Sequence, residues 1–514
     1  MNPSESPRPP RRWLRWLKRL GWCALWVVTL VALVVAFENW RGRRAWERFV
    51  AESKAAGEDV SPTAVIPPPV PDAENFAMIP LFQALFDYTN VITGGLTGTA
   101  TWNNPEAKQR LYDLDILGPK PPPQAPWRSG KFTDLAAWQA HYRRLTNFPA
   151  APQPQSAPDD VLLALGKFDR ELAELRGGAA RPHARFPIRY EESIGALFPH
   201  LEVLRKFSSL AQLHAVAELA AGKVEDAGRD TLLALRIAGL VETEPLLISQ
   251  LVRFALLELA LNPLWEGLAR HQWSDAQLAE FEQHFNTLNF AASLQLALRG
   301  ERNLLMFLGS DLMQKNPQLY AALIGVDGSG AFGVMPRSFI DQGKVVVGRM
   351  YAELLKDSSP DPHRFSRTHA AEVERQVAEI RTHPWRHPYS ILAAMLMPAL
   401  TVSIEKFARA QTTADLARVA IALERHRLKH GEYPETQEAI DPALKPAGGL
   451  PHDVISGAPL RYVRTAQGRF HLYAVGWNGT DEGGSVVWKD RGKTQIDFTQ
   501  GDWVWQYPSQ VSYE

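Results

Sequence analysis

Two histidine pairs, two charges in an apolar helix and one glycine-rich run are the places where this chain could do chemistry. Gly328-Ser-Gly330-Ala-Phe-Gly333 matches the letters of a dinucleotide-phosphate loop. That chemistry needs a strand before the glycines and a helix opening within them, so that phosphate meets free N–H groups. Here Val334-Met335-Pro336 follows, between helical segments, and the run reads as a loop. His426 and His430 stand four apart on an expected helix, a spacing that lets two imidazoles share a metal. Arg427 and Leu428 follow His426, so the glutamate of a zinc-protease motif is missing, and Arg425, Arg427 and Lys429 make this a solvated face. His383 and His387, separated by Pro384 and followed by Pro388, read as a turn. His214 falls on an apolar stripe and reads as a core histidine rather than a ligand. Arg253 and Glu258 interrupt an apolar helix. Buried charges are costly unless paired, so both are expected to find partners across the helical core, a binding groove being the alternative. No GxSxG elbow, Walker A loop, CxxC pair or HExxH motif occurs, and no residue is assigned a catalytic role.

The elements that must position these residues begin with an anchor. Residues 20–37 read LGWCALWVVTLVALVVAF, without a charge. Eighteen helical residues span about 27 Å, close to the hydrocarbon thickness of a bilayer. Arg8, Arg11, Arg12, Arg15, Lys18 and Arg19 precede the run; Arg41, Arg43, Arg44 and Arg48 follow it, mixed with Glu38 and Glu47. The positive-inside rule favours a cytoplasmic N-terminus and an extracytoplasmic, periplasmic body. Trp13, Trp16, Trp22, Trp40 and Trp46 suit the two interfaces. A cleaved signal peptide is the competing reading, but VVAFEN lacks a small-x-small cleavage site.

At 514 residues the chain can bury two or three cores. Its 56 Lys+Arg balance 56 Asp+Glu, so no net field favours nucleic acid. The one cysteine, Cys23, lies inside the anchor, which rules out an intramolecular disulfide. IPPPVP at 66–71 reads as a stiff spacer, and the Gly-, Thr- and Pro-rich stretches at 93–101, 119–126 and 149–158 read as loops. Helical periodicity then predicts helices over 159–175, 201–221, 225–241, 246–261, 275–288, 291–308 and 369–380. The hairpin AVAELAAGKVEDAGRDTLLALRIAG resembles one tetratricopeptide-type unit, without a second copy.

The C-terminal region is the most distinctive. Leu416, Val419, Ala420 and Leu423 form an i, i+3, i+4, i+7 stripe on a long helix that Gly431 and Pro434 end. Strand-like runs follow at 460–464, 469–475 and 485–488. This region resembles the major pseudopilin (type II secretion system protein G-like) family. The resemblance rests on ILAA with Pro398, on Glu405-Lys406 and Asp415, and on Ala422-Leu423. Leu428 to Thr436 in the pattern L…G.YP.T, LYAVGWNGTDEGG at 472–484, and Asp502-Trp503 complete it. It implies a long helix on a small antiparallel sheet, and a calcium ion held by Asn478, Asp481 and Asp502, with Glu482 as a further ligand. Hard oxygens in a Gly-rich loop suit that ion. The family's processed N-terminus is missing here: His387-Pro388-Tyr389-Ser390 stands in its place, and Trp26 occupies the position of its glutamate after Gly21. Pilus function is therefore not carried over.

The expected protein is mainly α. It has a basic cytoplasmic tail (1–19), a transmembrane helix (20–37), a stalk with Pro-rich loops (38–158), an α-helical domain (159–385) and a pseudopilin-like α+β domain (386–514). The expected role is binding or assembly at a membrane, with an unidentified protein partner and no nucleic acid. The alternatives are an accessory of a type II secretion-like system, or an envelope hydrolase whose site lacks a known signature.

Overall fold

A computed structural model describes residues 12–91, 99–123, 127–304, 306, 337–356, 364–465, 468–490 and 495–508. The Gly328–Gly333 run lies outside the described residues. The chain is mainly helical, with small antiparallel sheets at its C-terminal end and an apolar helix at its N-terminal end. Helix α1 (Arg12–Ala55) is long and apolar enough to cross a membrane, and no residue of its most apolar window is buried.

Between α1 and the first long helices lie α2 (Pro80–Gln83), the hairpin β1 (Tyr88–Val91) and β2 (Thr99–Trp102), α3 (Pro105–Tyr112) and α4 (Leu135–Arg143). This stretch supplies Phe76, Phe82, Trp127, Trp138 and Tyr142 to the main core, all essentially inaccessible. It is therefore more than a stalk of loops. The predicted 159–175 helix is two helices, α5 (Ala157–Leu165) and α6 (Asp169–Ala179), joined through Gly166.

Helices α7 (Pro199–Ala220), α8 (Val224–Gly239) and α9 (Leu247–Ala269) pack together, followed by α10 (Asp275–Phe285) and α11 (Phe290–Asn303). Ser274 and Gln277 close a capping box that starts α10. Helix α9 is apolar enough to pass for a second span, but most of its apolar window is buried against protein, as an apolar-all-round helix requires. Helices α12 (Arg337–Leu355) and α13 (Thr368–Thr382) lead to α14 (Ile391–His430), whose 40 residues extend about 60 Å. Gly431, at φ +87°, stops it with its N–H on the Arg427 carbonyl at 2.7 Å.

Helix α14 packs on α9, α10, α11, α12 and α13, and its C-terminal half carries a three-stranded sheet. That sheet has the order β3 (Arg461–Arg464), β4 (Phe470–Ala474), β7 (Trp503–Trp505); β5 (Val486–Trp488) pairs with β6 (Ile496–Gly501), all antiparallel. One buried cluster runs from Val65 to Trp505, across the boundary expected at 386. The long helix thus serves both parts.

The lower half of α1 is built into this body. Phe49 is buried with Val60 and Val345. Gly42 lies so close to α12 that a Cβ would stand 2.8 Å from the Ser338 backbone. Tyr389 donates to Glu38 at 2.9 Å and accepts from Arg41 at 2.9 Å. Glu58, just past the helix, receives Arg299 at 2.9 Å and Arg302 at 3.0 Å.

Candidate metal centre in the C-terminal loop

The loop from Gly476 to Ser485 folds back on the start of β7. A Cβ on Gly476 would stand 1.9 Å from the Gly501 carbonyl, so the two backbones touch as only glycine permits. Asp502 thereby enters the loop from outside. Its N–H donates to the Ser485 carbonyl at 2.9 Å, and its Oδ2 accepts the N–H groups of Glu482 at 3.0 Å and Gly484 at 2.7 Å. Asp502 is buried, and its Oδ1 has no partner; neither does the buried Oε2 of Glu482. Burial raises the Asp502 carboxyl to about 6, the Gly484 N–H opposes the rise, and the adjacent Glu482 adds to it.

The four expected calcium ligands divide. Glu482 and Asp502 come together with free oxygens. Asn478 turns its amide nitrogen to Glu482 Oε1 at 2.6 Å while its oxygen accepts from Thr480 N, so it positions Glu482. Asp481 points elsewhere, held by Arg461 at 3.1 Å, Tyr473 at 3.2 Å and the Gly483 N–H at 3.0 Å. The arginine therefore claims Asp481, while the backbone fold at Gly476 and Gly501 brings Asp502 to Glu482. Two orphaned carboxylate oxygens on residues joined through this Gly-rich loop suit a hard cation, which would complete its shell with backbone carbonyls and water.

The remaining candidates also find places. Arg253 and Glu258 pair, but not with each other. Arg253 reaches Glu242 at 2.7 Å and Ser293 at 2.9 Å. Glu258 receives Arg128, with Nε at 3.0 Å and Nη2 at 2.5 Å, and the Trp127 indole at 3.1 Å. His426 and His430 stack, ring centroids 4.3 Å apart, over Asp441: His426 Nδ1 accepts the Asp441 N–H and His430 Nε2 lies 3.2 Å from its carboxylate. His383 and His387 flank the turn Pro384–Arg386. His214 is not in an apolar setting; it faces Glu218 and Asp230.

Sequence reasoning missed Glu424. It is buried at the junction of α14 with the α9–α10 corner, bound by His271, Arg427 and Tyr433. Burial would raise its carboxyl, but these three donors outweigh burial and hold it at about 2. Its signal was an acid directly after Leu423, the last residue of the apolar stripe. No family model, curated protein or solved structure matches the chain.

Proposed function

We propose that this chain is a signal-anchored membrane protein whose N-terminus stays in the cytoplasm and whose body binds or assembles proteins at the extracytoplasmic face. One observation carries the reading: the helix that leaves the apolar segment is locked into the body through Phe49, Gly42, Tyr389 and Glu58. A flexible tether needs no such contacts; a platform held in one attitude above a bilayer does. Trp385, four residues before Tyr389 and 74% exposed, fits an interfacial position beside the anchor. Fusing a reporter to the N-terminus and treating spheroplasts with protease tests the topology. Digestion of the body with the tag protected is expected; a protected body would overturn the orientation.

The C-terminal long helix with its antiparallel sheet supports the pseudopilin-like reading, and with it the proposal that pseudopilin-type subunits of a secretion machine are partners. Their recovery with the full chain from detergent-solubilised membranes is the corresponding test. In this reading Glu482 and Asp502 would hold calcium, which pins the loop to β7. Calcium at one hundred times its Kd should stabilise the fold by about 2.7 kcal/mol. Asp502→Asn should remove that gain. The pH dependence has a defined sign. Without calcium, an acid raised from 3.8 to about 6 contributes stability below pH 4 that is lost as pH rises through 6. Calcium replaces the proton, so its effect on Tm should be large above pH 6 and fade below it. Equal Tm with calcium and with chelator at pH 7.5 would remove the proposal.

A further inference from the structure

We propose that His214, Glu218 and Asp230 form a second, separate metal site, for a zinc-like divalent transition ion, between α7 and α8. His214 and Glu218 lie one helical turn apart on α7, so their side chains share a face. Asp230 comes across from α8. His214 Nδ1 is 2.7 Å from Asp230 Oδ2 and 3.3 Å from Glu218 Oε1, and one ligand atom from each residue lies within 4.8 Å of the others. An ion with bonds of about 2.0–2.2 Å sets its ligands roughly 3–3.5 Å apart, so this trio needs only small shifts to close on one.

A second observation points to a ligand. His214 Nδ1 is turned into the cluster, toward both carboxylates. Glu218, whose side chain is 6% exposed, leaves Oε2 buried and unpartnered. Buried polar atoms of native proteins are nearly always satisfied, and here a carboxylate oxygen of the cluster is not. Two carboxylates and an imidazole match a divalent cation in charge, and the nitrogen donor favours zinc-like ions over calcium or magnesium.

The surroundings are those of a supported site. Arg176 from α6 grips Asp230 with Nη2 at 2.7 and 2.9 Å and Nε at 2.9 Å, fixing the carboxylate's orientation. The Arg176 side chain is 42% exposed and His214 12%, so the cluster lies within one side chain of solvent. Three protein ligands leave a fourth tetrahedral position for water.

Isothermal titration of the chelator-treated full chain in detergent with zinc chloride tests this, read alongside cobalt(II) absorption. The expected result is binding at this site with micromolar or tighter Kd and an intense tetrahedral cobalt band. His214→Ala should abolish that band. Glu218→Gln keeps the side chain's shape, should preserve the helical circular dichroism, and should weaken zinc about 10- to 100-fold. Asp502→Asn and the His426→Ala/His430→Ala pair should leave the band unchanged, which separates this site from the C-terminal loop and the stacked histidines. No cobalt band and no zinc heat up to millimolar concentration would overturn the proposal, as would zinc binding that Glu218→Gln leaves intact.

Discussion

Replacing Glu258 with alanine is expected to destabilise the folded body by about 3 kcal/mol, the low end of the range for breaking a buried ion pair. Glu258 is 24% exposed, which moderates the loss, but its partner is not: the Arg128 side chain is 7% exposed. The Arg128 guanidinium lies over Trp127 and Phe498, 4.5 and 5.3 Å from the ring centroids, and also donates to Thr413 of α14. Trp127 in turn packs on Trp505 of β7, ring centroids 5.0 Å apart. One carboxylate on α9 therefore holds a loop that touches both α14 and the C-terminal sheet. Without it a guanidinium stays buried with only a hydroxyl and ring faces for company. Urea denaturation followed by tryptophan fluorescence should show the lower midpoint, with red-shifted emission as the Trp127–Trp505 contact opens. Glu258→Gln should fall between, since it keeps an acceptor for Trp127. Substituting both Arg128 and Glu258 with leucine should cost less than the alanine change alone, because no charge is left stranded. A shift below about 0.5 kcal/mol for Glu258→Ala, the level typical of an unconnected surface site, would contradict this account.

The second large effect concerns the C-terminal half of α1. Phe49→Ala should cost about 3–5 kcal/mol of local packing, as truncating a buried phenylalanine does. Phe49 is 5% exposed and sits against Gly348 of α12, where a Cβ would come within 2.5 Å of its ring. Gly348→Val should therefore act from the other side by displacing the same ring. Both variants should keep their helical signal in circular dichroism and still become sensitive to limited proteolysis between residues 40 and 60, because the stem lifts from α12 while the main core stays closed. Combining either with Glu58→Ala, which removes the clamp on Arg299 and Arg302, should increase the cleavage further. Wild-type protease resistance in the combined variant would mean the stem is not seated as described.

Some of this protein was written in local sequence. The uncharged run of residues 20–37 needed only composition to be recognised, since an apolar helix of that length has a bilayer as its natural surroundings. Helices α7 to α11 and α13 followed from apolar periodicity to within a few residues at most ends, because a 3.6-residue repeat is a local property. Gly431 stops α14 where its freedom to take φ +87° predicts. The three-residue strand Trp503–Trp505 was not legible: all three residues are buried, so no alternation marks it. Nor was the core role of the Pro-rich N-terminal stretch, whose aromatics are buried from turns and short helices too brief to show a period.

Tertiary structure decided the partners. Arg253 and Glu258, five residues apart on one helix, point away from each other, and their partners lie 11 and 130 residues distant. Adjacent Asp481 and Glu482 part company because Arg461 claims the first while a backbone fold brings Asp502 to the second. His214 became a member of a charged trio only when α8 delivered Asp230. Composition and period report which face of an element is apolar. They carry no record of which distant face it meets, and that meeting, set by loop closure and packing, is what turned scattered acids and histidines into candidate sites.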